Sequence, residues 1–297
     1  MNSRALAIIA LFMVQVLYGL NFTYAKVIMN ENFIKPFALV VLRVGGATIL
    51  LWLFGLFLPK EKINPKDYLK FFIAGIFGVA INMLLFLRGL ELTSPIHASA
   101  IVTITPVLIL ILSAFILKEK VTVLKTVGIA LALCGALILT VYGKSTRAAD
   151  NVVLGNTFIF INAISYSIYI ILVKQLTAKY HPFTFIKWLF LFGFFMVLPF
   201  GYNQLTDIQL ASFTTDVYFA VGFVIVGATF ATYLLNPYAL SKLKASTVGV
   251  FIYLQPVIAG LFAIAKGIDA VDTVKVLTML LIFTGVYIVS LKPKKTT

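Results

Sequence analysis

Apolar runs of about twenty residues, nearly free of charge, recur along the whole chain, and a hydrocarbon slab of about 30 Å takes about 20 residues of helix to cross. They lie near residues 5–25, 36–58, 69–89, 95–117, 122–142, 153–173, 183–202, 216–239, 246–265 and 273–291. Many are rich in Val, Ile and Phe, but only helices or closed barrels satisfy every backbone group in lipid, and runs this long lack the alternation of barrel strands. The expected fold class is an all-α integral membrane protein with ten transmembrane helices. A soluble fold is excluded because 24 basic and 10 acidic residues could not cover the core of a 297-residue chain that is 61% hydrophobic. The first run, opened by Arg4, is too long for a cleaved secretory leader and leads into further spans.

The net charge of +14 does not point to nucleic acid, because the basic residues stand singly or in small groups between apolar runs. Their alternation carries orientation instead. With the N-terminus in the cytoplasm, the cytoplasmic loops hold 15 Lys and Arg and the opposite loops 7, which predicts both termini in the cytoplasm of a multi-pass protein of the inner, cytoplasmic membrane.

The chain also aligns with itself. At an offset of 150, Pro106-Val107 meets Pro256-Val257, Glu119 meets Asp269, Lys125 meets Lys275 and Gly135 meets Gly285. At 146, Pro36-Phe37 meets Pro182-Phe183, and at 148, Tyr18 and Lys26 meet Tyr166 and Lys174. The expected domains are a first five-helix repeat over 1–143, a polar loop over 144–151 and a second repeat over 152–297. Five is odd, so the second repeat enters the membrane from the opposite side, the inverted plan of secondary transporters with a site near the midplane. Gly143-Lys144-Ser145 mimics the end of a phosphate-binding loop, but Ile138 stands where that motif needs its first glycine, so no nucleotide site is expected.

Polar side chains inside spans are functional candidates, because lipid offers them no partner. Gln15, Tyr18, Asn21 and Lys26 fall within about 140° on the first helix, and Asn162, Ser165, Tyr166 and Tyr169 within about 100° on the sixth. Thr229, Thr232, Tyr233 and Asn236 share a face of the eighth helix, Asn82 and Phe86 a face of the third, and Thr103, Thr105, Tyr253 and Gln255 lie on the fourth and ninth. Either these residues glue helices together or they line a central solute cavity. Clustering on repeat-related helices favours the cavity.

Pro106 and Pro256 stand mid-helix at equivalent positions, and Pro237 follows Asn236; each frees a carbonyl and marks a kink or a hinge. Arg43 lies about 10 Å into the second helix at 1.5 Å per residue, where it either snorkels to the interface or serves as counter-charge to an anionic solute group. Lys187 is expected to snorkel, Arg88 and Glu91 to pair at the surface, and Glu119 to serve as a helix-start acid for the fifth helix. All ten acids fall in loops or at helix ends, so no buried carboxylate for ion coupling is visible. His97 is expected to pack at a helix end. A single cysteine, Cys134, and two distant histidines form no metal set, so no metal or cofactor is expected.

The ordered series Tyr18-Gly19 to Lys26, Arg43, Gly78, Leu90, Ser94, Pro106, Glu119, Gly128 and Gly135 resembles the drug/metabolite transporter superfamily, EamA branch. The second half repeats it with Tyr166 to Lys174, Ala239-Leu240, Pro256, Asp269 and Gly285. Two departures stand out: the family's Gly-Glu after the fourth helix is Lys118-Glu119, and the second copy reads Gly267-Ile268-Asp269. The resemblance implies a carrier of two inverted repeats that moves small organic solutes by alternating access.

The function expected is export of small metabolites, amino-acid-like or amphipathic, by a secondary transporter rather than an enzyme. Its partners are a small-molecule substrate and the lipid bilayer, with no nucleic acid, and it works as a monomer or as a homodimer joined by Gly128, Ala132 and Ala136. The substrate-binding candidates are Tyr18, Asn21, Arg43, Asn82, Phe86, Asn162, Tyr166, Tyr169, Tyr233, Asn236 and Gln255. The alternatives are an antiporter for organic phosphates or nucleotide sugars, a membrane-embedded enzyme, and a structural subunit that transports nothing.

Overall fold

A computed structural model of the chain describes residues 3–30, 33–93, 98, 101–142, 151–265 and 272–291. The described residues are helical and contain no strand. The helices are α1 (Ser3–Asn30), α2 (Pro36–Gly55), α3 (Pro65–Leu92), α4 (Thr105–Ile116), α5 (Val123–Tyr142), α6 (Val152–Leu176), α7 (Pro182–Leu205), α8 (Thr215–Lys242), α9 (245–265) and α10 (Thr273–Ser290). Eight of them, all but α4 and α5, are long and apolar enough to cross a membrane; α4 and residues 123–139 of α5 are shorter apolar helices.

Local chemistry sets the helix ends. Pro36 and Pro182 open α2 and α7 in the first turn, where a missing N–H costs nothing. Asn151, Thr214 and Asp272 accept from the free backbone N–H of Leu154, Val217 and Lys275 at the starts of α6, α8 and α10. The Lys275 N–H also holds the Asp272 carboxyl below its usual range. In lipid the outer faces need no polar cover, and Phe57, Phe115 and Val153 stand about 80% exposed.

Inside, helices approach closely through small residues. A Cβ on Gly285 would strike the Gly128 carbonyl and Ala132, and one on Gly135 would meet the Thr278 carbonyl at 2.9 Å. The face of Gly128, Ala132 and Ala136, expected to offer a surface for a second copy, is spent inside the chain: Ala132 and Ala136 are fully buried and α10 lies on Gly128. The sequence shows the small face but not which helix covers it.

The packing has an exchange property. α2 lies on α7 and α5 on α10; α1 lies on α8 and α9, and α6 on α3 and α4. Swapping α1–α5 for α6–α10 maps α2–α7 and α5–α10 onto themselves and the pairings of α1 onto those of α6. The same relation appears in the backbone. Ile76–Ala80 in α3 and Val226–Ala231 in α8 are both π-helical, and their first residues are 150 apart in the sequence. The turn at Thr103-Ile104 before Pro106 and the 3-10 turn Phe251–Tyr253 before Pro256 form a second such pair.

The break before Pro106 corrects the single helix expected over 95–117. Helix is found at Ala98 and at 101–102, then a turn, then α4, while 94–97 and 99–100, with His97, lie outside the described residues. Proline disfavours α geometry in the residue before it and supplies no N–H to close that turn.

Candidate functional site

The polar faces of α1, α6 and α8 meet at the centre of the bundle around a cavity of about 100 Å³. Its walls are Tyr18 and Asn21 from α1, Arg43 from α2, Asn82, Met83 and Phe86 from α3, Val102 and Thr105 from the broken helix ending in α4, Asn162 and Tyr166 from α6, Tyr233 from α8, and Ile252 and Gln255 from α9. Repeat-related residues face each other across it. Tyr18 and Tyr166 are one pair; Val102 with Ile252, Thr105 with Gln255, and Met83 with Tyr233 are pairs at the offset of 150.

The π-helical turns supply much of the polar geometry. A π turn shifts the regular backbone ladder and leaves carbonyls for other donors. Tyr233 Oη donates to the Gly78 carbonyl at 2.6 Å, Ser165 Oγ to the Phe77 carbonyl at 2.7 Å, and Asn162 Nδ2 to the Asn82 carbonyl at 2.7 Å. In the other half, Arg43 donates from Nε to Thr229 Oγ1 at 3.0 Å and from Nη2 to the Ala228 carbonyl at 3.3 Å. Arg43 therefore does not snorkel: it is 5% exposed and turned into the cavity. Among the described residues it is the one charged residue of the cavity wall, and it has no ion-pair partner there.

Other wall residues are held from behind. Gln255 Nε2 donates to Gln15 Oε1 at 2.9 Å, joining α9 to α1, and Asn236 Nδ2 donates to Tyr166 Oη at 2.8 Å. Asn21 is 5% exposed and lines the cavity, yet its Oδ1 has no hydrogen-bond partner among the described residues. A buried acceptor in that condition costs free energy until a donor reaches it.

Two of the expected site residues stand behind the wall. Tyr169 is 1% exposed and presses on Gly78, where any Cβ would collide with its ring; the rings of Tyr166 and Tyr233 lie at 5.8 and 5.7 Å. Asn236 meets the cavity only through Tyr166. Helical facing angles place both on the right side of their helices but give no radial depth. Met83, Val102 and Ile252 were not expected. Met83 follows Asn82 on the same turn, and Val102 and Ile252 precede Thr105 and Gln255 by three residues, so helix spacing and the repeat together carried a signal for them.

Of the proline candidates, Pro106 and Pro256 each sit just after a break in the α ladder, whereas Pro237 lies inside helix that continues to Lys242. The side chain of Lys26 lies outside the described residues. Lys187 sits over the Trp52 ring, 5.4 Å from its centroid, and Arg88 pairs with Glu91 as expected.

Away from the cavity, Glu119 caps α9 and not α5. Its Oε1 accepts from the Ala245 N–H at 2.7 Å and its Oε2 from the Ser246 hydroxyl at 2.6 Å, with Lys125 Nζ 3.6 Å away. Lys174 Nζ donates to the carbonyls of Leu240 and Leu243 at the end of α8, at 2.6 and 2.8 Å. Sequence proximity had suggested the neighbouring helix as the partner; the partner lies 126 residues away.

The match to a family follows these features. The model of the EamA-like transporter family matches residues 5–141 and again 153–291, and the chain belongs to that family. Among its relatives are an uncharacterized transporter of Archaeoglobus fulgidus, 30% identical over 92% of this chain and 94% of its own length, and the uncharacterized transporter YyaM of Bacillus subtilis, 24% identical over 90% and 88%. A solved crystal structure shares the fold with a TM-score of 0.76 at 18% identity, over 96% of this chain and 97% of that one. The protein is a multi-pass membrane transporter.

Proposed function

We propose that the chain is a secondary carrier that moves small organic metabolites, amino-acid-like or amphipathic, across the cytoplasmic membrane by alternating access, in the direction of export. Ten crossings, both termini in the cytoplasm and two inverted repeats bounded at 143 and 152 complete the plan. The exchange property of the helix pairings, the family model's two matches and the basic bias of alternate loops support it.

The observation that carries the proposal is the cavity wall itself. Residues at repeat-related positions of both halves line one chamber that mixes polar and apolar side chains, in a bundle whose outer faces are apolar. Tyr18, Phe86, Tyr166 and Tyr233 offer apolar contact, while Asn21, Asn82, Asn162 and Gln255 orient polar groups. Tyr169 and Asn236 hold Tyr233 and Tyr166 in place. Pro106 and Pro256 are the hinges of the broken helices, and Glu119 ties the segment before α5 to the start of α9. With Arg43 the one basic residue of the wall among the described residues, multiply charged phosphates are disfavoured as solutes.

Counterflow in proteoliposomes tests this. Vesicles are loaded with one unlabelled amino acid or related metabolite and entry of its labelled form is followed, with and without a pH gradient. Transient accumulation of at least one solute, abolished by Tyr166→Ala in protein that still unfolds cooperatively, is expected. Absence of entry for every solute in both conditions contradicts a metabolite carrier.

A further inference from the structure

Arg43 brings a full positive charge into the centre of a membrane bundle, and nothing in the described residues answers it. A buried guanidinium is normally compensated by a carboxylate, because its desolvation is offset only by close opposite charge. Here the acids that form ion pairs are engaged at helix ends: Asp67 with Lys70 and Lys179, Glu91 with Arg88, Glu119 with Lys125, Asp207 with Lys35, and Asp272 with Lys275. None lines the cavity.

The bonds that Arg43 does make orient it and leave its charge uncompensated. Nε is directed to Thr229 Oγ1 and Nη2 to the Ala228 carbonyl, both in the π turn of α8, where that carbonyl also accepts from Thr232. Thr229 turns its own proton away, onto the Val224 carbonyl at 2.7 Å, and so presents a lone pair to Arg43. Two neutral acceptors fix the plane of the guanidinium, and no protein group bonds Nη1 among the described residues. A planar fork with a free edge suits a planar oxyanion.

We infer that Arg43 is an anion subsite of the cavity, and that the solute carries one carboxylate, which docks on this guanidinium and supplies the missing counter-charge. The inference rests on the carrier proposed above and adds a chemical requirement to it. Asn21 marks a second point of attachment: it lines the same cavity and its buried Oδ1 has no partner among the described residues, so it would take a hydrogen-bond donor of the solute. Among the described residues the wall holds no second cation for a second carboxylate, so monocarboxylates are preferred over dicarboxylates.

The test compares acids with their amides on the purified full-length protein in detergent micelles. Titration calorimetry is run with butyrate against butyramide, 3-phenylpropionate against 3-phenylpropionamide, and 2-phenylsuccinate as the dicarboxylate. Wild type is expected to bind at least one monocarboxylate about tenfold or more tightly than its amide, and no tighter in the dicarboxylate. Arg43→Gln is expected to erase that preference, and Arg43→Lys to keep it with weaker binding, since the charge remains while the fork is lost. Equal binding of acid and amide, absence of carboxylate binding to wild type, or a preference that survives Arg43→Gln overturns the inference. The wild-type comparison stands even where a variant does not fold. Counterflow separates this outcome from the parent proposal: solute exchange without a carboxylate preference leaves the carrier and removes the subsite, and a preference without exchange does the reverse.

Discussion

Tyr233 Oη donates to the Gly78 carbonyl at 2.6 Å, from one half of the chain into the π-helical turn of the other. Tyr233 is 3% exposed, and its hydroxyl is the donor that this carbonyl loses on substitution. Tyr233→Phe keeps the ring packing on Phe190 and leaves the carbonyl orphaned, which costs about 1–3 kcal/mol. A lowered melting temperature in detergent is expected, with the helical circular-dichroism signal unchanged. An unchanged melting temperature would mean that the bond contributes nothing.

Gly78→Ala places a methyl group into the Tyr169 ring. Overpacking of this kind costs about 1–3 kcal/mol. The collision is specific, so Tyr169→Leu should recover part of the loss in the double variant. Thermal unfolding of the two singles and the double measures the coupling, and additivity of the two losses would contradict the contact.

Lys118 is left-handed, at φ 52°, a conformation that favours glycine. An L side chain there costs about 1–2 kcal/mol, part of which glycine returns as unfolded-state entropy. Lys118→Gly is accordingly expected to stabilise by up to about 1 kcal/mol, read as a melting temperature a few degrees higher. A decrease would show that the Lys118 side chain contributes more than its backbone strain.

Glu119→Ala removes the acceptors of the first two N–H groups of α9 and the partner of Lys125. The expected loss is about 1–2 kcal/mol, and Glu119→Gln should retain part of it because the cap survives without the charge. Equal losses in the two variants would assign the whole effect to charge.

The fold was legible where physics acts locally. Runs of apolar residues marked the helices, and the 3.6-residue period put Tyr18 with Asn21, Asn162 with Tyr166, and Asn82 with Phe86 on faces that do meet at the cavity. What the sequence withheld depends on partners far along the chain. Arg43 turns inward to a hydroxyl and to a carbonyl in a π turn, and no residue pattern announces either acceptor. Glu119 serves the helix of the other half, and the small face of α5 is filled by α10. Tyr169 and Asn236 lie at the right angle but one layer too deep, a radial distance that helical periodicity does not encode.

The central claim is that the cavity between the two halves is the path of the solute. Its most direct test is thiol accessibility at the wall: Val102→Cys in a Cys134→Ala background, reconstituted in vesicles and treated from each side with a membrane-impermeant methanethiosulfonate. The account predicts modification from both sides, slowed by a solute that is active in counterflow. A folded protein in which Cys at 102 reacts from neither side, with or without solute, contradicts it.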